Sequence, residues 1–211
     1  MDDSLRVTTN PKYNSQLTAI RTEKDIPERW RDTPIESLIK AHNFDVPILP
    51  ASSPQLMVVT CIEFRFQPKV PHFFAYELRR ASGRLIGSEF TLAYALTKGV
   101  RHLALIGHND CGMTKVHASA GAMSQALVDQ GWPRESAEDY VTQQGPRYAI
   151  RDELDSLKHE YFRLRRLFRH LEIAPLFAAL ANSNLYVPNW FLEKTDANSG
   201  DSVMAEDLLM L

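Results

Sequence analysis

Residues 60–66, TCIEFRF, place a thiol, a carboxylate and a guanidinium at alternate positions: Cys61, Glu63 and Arg65. In an extended segment residues two apart share a side, so the trio forms one constellation at the end of an apolar run. Residues 107–112, GHNDCG, add His108 and Cys111, three apart. Two thiols and one imidazole suit zinc by softness and by ligand type. Three protein ligands leave a fourth position for water, the pattern of catalytic rather than closed structural zinc sites. Two plainer readings stay open at this point. One is a Cys61–Cys111 disulfide; the other is a pair of small buried cysteines and an ordinary hydrogen-bonded histidine, since free cysteine is commonly buried.

The elements that must position these residues follow from hydrophobic patterning. QLMVVTC (55–61) and HLALIGH (102–108) are short apolar runs that predict buried strands. Between them, GSEFTLAYALTKGV (87–100) predicts a helix with Ser88 near its start and Gly99 at its end. Strand, helix, strand implies a parallel pair joined by a right-handed crossover. Ligands in open α/β sheets gather at the carboxyl ends of strands, so this topology brings Cys61, His108 and Cys111 together across about 50 residues of chain. FFAYELR (73–79) is expected to add a strand. TPIESLIKAHN (33–43) predicts a helix with Thr33 as N-cap, Pro34 at the first position and Glu36 completing a capping box.

Beyond Cys111 a helix is expected from Met113 to about Gln130, ended by Gly-Trp-Pro, then a short helix and loop over 133–146. Ile150, Leu154, Leu157, Tyr161, Leu164, Phe168 and Leu171 recur at spacings of four and three, one apolar stripe on a long helix that covers the sheet or a dimer partner. Its Arg163, Arg165, Arg166 and Arg169 are partly offset by Glu153, Asp155 and Glu160, which reads as a solvated face rather than an RNA site. NLYVPNWFL (184–192) predicts a last strand, with Pro188 marking an edge position or a bulge.

Of 211 residues, 44% are hydrophobic and 24% charged, with a net charge of -2. One domain with a sizeable core, or a domain plus an arm, fits these values. Residues 1–33 read as an N-terminal arm, laid on a partner subunit or disordered, and 34–211 as the zinc-binding α/β domain. The charge balance gives no reason to expect nucleic acid, and no apolar run approaches the roughly 18 residues of a membrane span. Two cysteines are too few for a disulfide scaffold. A cytoplasmic location is the simplest expectation.

CIEFR and GHNDCG resemble the two motif segments of the β-class carbonic anhydrases, Cys-x-Asp-x-Arg and His-x-x-Cys-Gly. Ser88-Glu89-Phe90 matches the family's helix start, and the likeness spans roughly residues 34–131. The resemblance implies an α/β fold around a mainly parallel sheet flanked by helices, an obligate homodimer or a multiple of one, and Zn²⁺ on Cys61, His108 and Cys111. It implies reversible hydration of carbon dioxide to bicarbonate by zinc-bound hydroxide, with Glu63 and Arg65 as the dyad that controls the water. A plain ion pair holding the strand end is the other reading of that dyad. Phe64, Phe66 and an aromatic such as Phe73 or Tyr94 are candidate apolar walls of the substrate pocket, with plain core as the other reading of each. Two departures stand out: Glu63 replaces the motif aspartate, and Arg-Arg-Ala-Ser-Gly (79–83) replaces an Asn-Ala-Gly-Gly-like run. The alternatives are hydrolysis of carbonyl sulfide or carbon disulfide at the same site, and a non-catalytic relative in which zinc stabilises an interaction protein.

Overall fold

A six-stranded sheet organises the chain, built from β1 (Leu17–Ala19), β2 (Leu56–Thr60), β3 (Ala75–Arg79), β4 (His102–His108), β5 (Glu172–Ala178) and β6 (Leu185–Pro188). The strands lie in the order β1-β6-β5-β4-β2-β3. The structure, a computed structural model, describes residues 11–197. β3, β2, β4 and β5 run parallel, while β6 and β1 close one side antiparallel. All five residues of β2 are buried, as a strand covered on both faces requires. The expected open α/β architecture with flanking helices is therefore present, and β2 and β4 pair in parallel as the crossover predicts.

Seven helices flank the sheet among the described residues: α1 (Pro11–Gln16), α2 (Pro34–Asn43), α3 (Glu89–Thr97), α4 (Ala120–Asp129), α5 (Arg134–Tyr148), α6 (Glu153–Leu167) and α7 (Asn189–Ala197). In α2 the Thr33 hydroxyl accepts from Ile35 N at 3.2 Å, while Glu36 reaches back to Asp32 N at 2.7 Å, one residue earlier than a capping box would place it. α6 covers β4 and β5 with Leu154, Leu157, Tyr161 and Leu164. Asp152 caps it through Leu154 N and Asp155 N, so Ile150 lies before the helix and Phe168 and Leu171 after it.

Four elements differ from expectation. The helix predicted from Met113 to Gln130 is split into a 3₁₀ turn, Gly112–Lys115, and α4. α5 continues past Gly145-Pro146 to Tyr148, although Pro146 removes one i→i−4 hydrogen bond there. Its Ala137, Val141 and Gly145 share a stripe, and a Cβ at Gly145 would already meet Val116 at 3.5 Å. β5 has no counterpart in the sequence reading, since Pro175 in mid-run argues against a central strand. The ladder on the β6 side begins only at Phe177, which leaves room for Pro175. Finally, β6 is not an edge strand: Pro188 is its last residue and pairs with Leu17 of β1.

Of the segment 1–33, residues 1–10 lie outside the described residues, as does the tail from 198. Residues 11–33 carry Tyr13, Leu17, Ile20, Ile26 and Trp30 into the chain's own core. Trp30 is fully buried, stacks on Phe191 at 5.0 Å and donates Nε1–H to Glu172 at 3.1 Å. Removing this ring leaves a large cavity, so Trp30→Ala should cost about 3–5 kcal/mol in urea unfolding. A loss under about 1 kcal/mol would show that the segment is dispensable to the core.

Candidate metal centre

The parallel register sets Thr60, the last residue of β2, opposite Ile106, two residues before β4 ends, so Cys61 emerges beside the last residues of β4. Cys61 leaves β2 at this level, His108 closes β4, and Cys111 follows a tight bend in which Asp110 takes φ +53°. Cys61, His108 and Cys111 are all buried, and their candidate ligand atoms lie within 4.8 Å of one another. The two sulfurs are 3.9 Å apart and the thiols are free, nearly twice the disulfide bond length of about 2.05 Å.

Three observations bear on whether this set fits a metal. His108 Nδ1 faces the Asn109 carbonyl at 2.9 Å, and donating there leaves Nε2 with its lone pair free. His108 Nε2 is buried without a hydrogen-bond partner, a costly state for a polar atom unless something coordinates it. Cys61 and Cys111 sit in a small apolar cluster with Ile150 and Met113. The Cys111 thiol beside it holds Cys61 well below the usual thiol range, while the Cys61 sulfur and burial push Cys111 up. Two free thiols next to an orphaned imidazole nitrogen are the donor set of a soft divalent cation. The residues fit zinc.

Glu63 and Arg65 form a fork-to-fork pair: Arg65 donates Nε–H to Glu63 Oε1 and Nη2–H to Oε2, each at 2.7 Å. Arg65 N also donates to Oε1 at 3.0 Å. These bonds hold the Glu63 carboxyl down at about 2 against the cost of its burial. Arg65 also reaches Asp110 Oδ2 at 2.9 Å, tying the β2 loop to the loop that carries Cys111. Asp110 was not singled out from sequence, although it lies inside GHNDCG. Two more residues escaped that reading. Arg79 donates to the carbonyls of Glu63 and Phe66 and to Gln67 Oε1, pinning the loop that bears the dyad. Glu153 accepts from Cys111 N at 3.2 Å and from the Tyr13 hydroxyl at 2.9 Å. Each joins segments far apart in sequence and carries no local pattern.

Gly83 at φ +67° lets the turn after β3 press on the metal segment: a Cβ there would stand 3.1 Å from Cys61 N and 3.3 Å from the Thr60 carbonyl carbon. Ser82 before it takes φ +64° in the departure 79–83, a left-handed conformation that side chains resist. A cavity of about 20 Å³, room for about one water, lies against His108 and Cys111 and is lined also by Ser82, Arg84, Glu153 and Ser156. The expected aromatic walls are elsewhere. Phe66 is buried against His42 at 5.2 Å, while Phe64 is 83% and Phe73 78% exposed and Tyr94 is open to solvent. Only one 3₁₀ turn, Gly112–Lys115, follows Cys111 directly.

Comparison with solved structures places this fold. The chain has the fold of the β-carbonic anhydrases. It superposes on β-carbonic anhydrase isoform I of Trichomonas vaginalis with a TM-score of 0.55 at 18% identity, covering 70% of this chain and 91% of that one. A carbonic anhydrase from Glaciozyma antarctica gives 0.54 at 18% identity over 77% and 99% of the two chains. One from Streptococcus mutans gives 0.51 at 15% identity over 74% and 95%. No protein-family model matches the sequence, and neither does any curated protein. No helix among the described residues is long and apolar enough to cross a membrane.

The depressed Glu63 carboxyl yields a pH prediction. A group whose folded pKa lies below its unfolded value stabilises above the unfolded value and loses that contribution as pH falls through the folded one. In the metal-free protein Glu63→Gln should therefore cost about 1 kcal/mol near neutrality, a modest figure because Arg65 is 40% exposed. The gap between parent and variant should narrow from about pH 4.5 towards about pH 2. Urea unfolding at several pH values checks this; a gap that stays constant down to about pH 3 would contradict the ion pair.

Proposed function

We propose that this chain is a divergent β-class carbonic anhydrase that holds zinc on Cys61, His108 and Cys111 and hydrates carbon dioxide reversibly to bicarbonate. The observation that carries the reading is the convergence of two free thiols and an unpartnered imidazole nitrogen beside a bidentate Glu63–Arg65 pair. When bound, zinc lowers the pKa of water from 15.7 to roughly 7 and so supplies a nucleophile at neutral pH. The chain's own groups do the rest. His108 is held in one tautomer by the Asn109 carbonyl, with Nε2 kept free as a ligand. Arg65 fills Glu63 Oε1 with two N–H donors, its own backbone N–H and Nε–H, and places one, Nη2–H, on Oε2, which keeps the carboxylate ionised and restrains it from swinging toward the ligands. Oε2 retains a further lone pair, which accepts the O–H of bicarbonate while refusing groups that carry no proton there. The extra methylene of Glu63 relative to aspartate is accommodated because Asp110 and Arg79 fix the arginine and the loop from two other sides.

The reading includes a homodimer. β3 is an edge strand, and exposed Phe64, Phe73 and Phe90 belong to the segments on either side of it. In a single chain the exposed Phe64 ring beside Arg65 leaves the dyad side of the site without an apolar wall. A second copy laid on this edge covers these rings and supplies that wall.

Metal analysis, light scattering and turnover on one preparation test the proposal together. About one zinc per chain, a dimer mass, and hydration of carbon dioxide are expected. Arg65→Ala should keep its zinc and lose at least about 100-fold in turnover, since displacing the carboxylate by about 1 Å is worth that much. Carbonyl sulfide and carbon disulfide serve as competing substrates in the same assay. Turnover of those alone would replace the substrate, and zinc without any turnover would favour a structural metal. Arg65→Ala as active as the parent would reduce the dyad to an ion pair.

A further inference from the structure

The turn that presses Gly83 against Cys61 has another side. With the end of α5 it encloses a concavity of about 240 Å³ lined by Arg80, Arg84 and Arg147 together with Ser82, Ile86 and Tyr148. No carboxylate lines it. Each guanidinium rests on neutral acceptors. Arg84 donates to the carbonyls of Arg147 and Ala149 and to Ser82 Oγ. Arg80 donates to Ser88 Oγ and lies over the Tyr148 ring at 5.6 Å. The Arg147 guanidinium donates to Gln144 Oε1 at 3.5 Å. Among the described residues none of the three forms an ion pair. Glu160, across the adjoining cavity, already gives both oxygens to Arg163. Burial, and then the neighbouring Arg163 and Arg80 charges, pull Arg84 down from the usual guanidinium range despite Glu160.

Arg80 and Arg84 are pre-organised by carbonyls and hydroxyls, Arg147 stands exposed beside them, and none of the three has a carboxylate partner among the described residues. Guanidinium forks match phosphate geometry two bonds at a time, and a phosphate monoester carries close to two negative charges near neutrality. Bicarbonate and simple carboxylates carry only one. The volume exceeds the needs of a lone anion yet falls short of the roughly 300 Å³ at which drug-sized pockets begin. The Tyr148 ring and Ile86 offer apolar contact to a short organic body. We infer that this concavity is a binding site for a small phosphate monoester, adjoining the metal centre through Ser82 and Arg84. Those two residues line both spaces, but the inference does not rest on zinc or on turnover.

Calorimetric titration of the full chain with glycerol 3-phosphate tests it. Binding with a dissociation constant on the order of 0.1–1 mM is expected, weakening as salt rises. Arg147 is exposed, so Arg147→Glu should melt like the parent and bind about tenfold or more weakly. Arg80→Gln should weaken binding in the same direction. Succinate should bind about tenfold more weakly than glycerol 3-phosphate, and glycerol not at all. No heat up to about 10 mM, unchanged binding by a folded Arg147→Glu, or succinate bound as tightly would each overturn the assignment.

Discussion

The parallel register of β2 against β4 is the constraint on which the site depends. Thr60 stands opposite Ile106, so Cys61, which leaves β2, comes out beside the last residues of β4, from a position about 50 away in the chain. A slip by one residue would turn the strand's side chains to the other face and carry Cys61 away from His108. The register is well defended: both strands are buried throughout their middles and packed by helices, and Gly83 leaves no slack against Cys61. The stability of the sheet and the geometry of the ligand set are thus one property.

Above that level the loops are fixed by charge-assisted hydrogen bonds more than by packing. Arg65 bridges Glu63 to Asp110, Arg79 holds the backbone on which Glu63 rides, and Glu153 links Cys111 N to Tyr13. Such bonds are directional and short, which suits loops that must hold buried donors without a regular ladder. They also balance charge. Two thiols that lose protons on metal binding, together with Glu63, would leave an anionic pocket unless Arg65 and the cation offset it. The arginine concavity on the far side of the turn 80–87 has no such balance within the described chain.

Much of this was legible in the residues. β2 and β4 were readable from apolar runs with branched side chains, α2 from Thr33 and Pro34, and the three donors from their spacing at two strand ends. β3 also followed from its run, although its residues are only partly buried. β5 was hidden by Pro175, whose cost depends on where the neighbouring ladder starts. α5 was cut short by Gly145-Pro146, a pair that reads as a helix stop, although only Arg147 and Tyr148 extend the helix beyond it. Asp110, Arg79 and Glu153 could not be read, because their partners lie elsewhere in the chain and no local pattern marks them. The aromatic walls failed for a related reason: exposure of Phe64 and Phe73 is settled by the tertiary fold, and sequence gives only their hydrophobicity.

The central claim is that Cys61, His108 and Cys111 together bind one zinc. Zinc-edge X-ray absorption on the purified chain addresses it most directly, because sulfur and nitrogen neighbours scatter differently. The account predicts two sulfurs at about 2.3 Å and one imidazole nitrogen at about 2.0–2.1 Å, with one sulfur lost in Cys111→Ser. Zinc surrounded by nitrogen and oxygen alone, or a sulfur shell unchanged by that substitution, would contradict it.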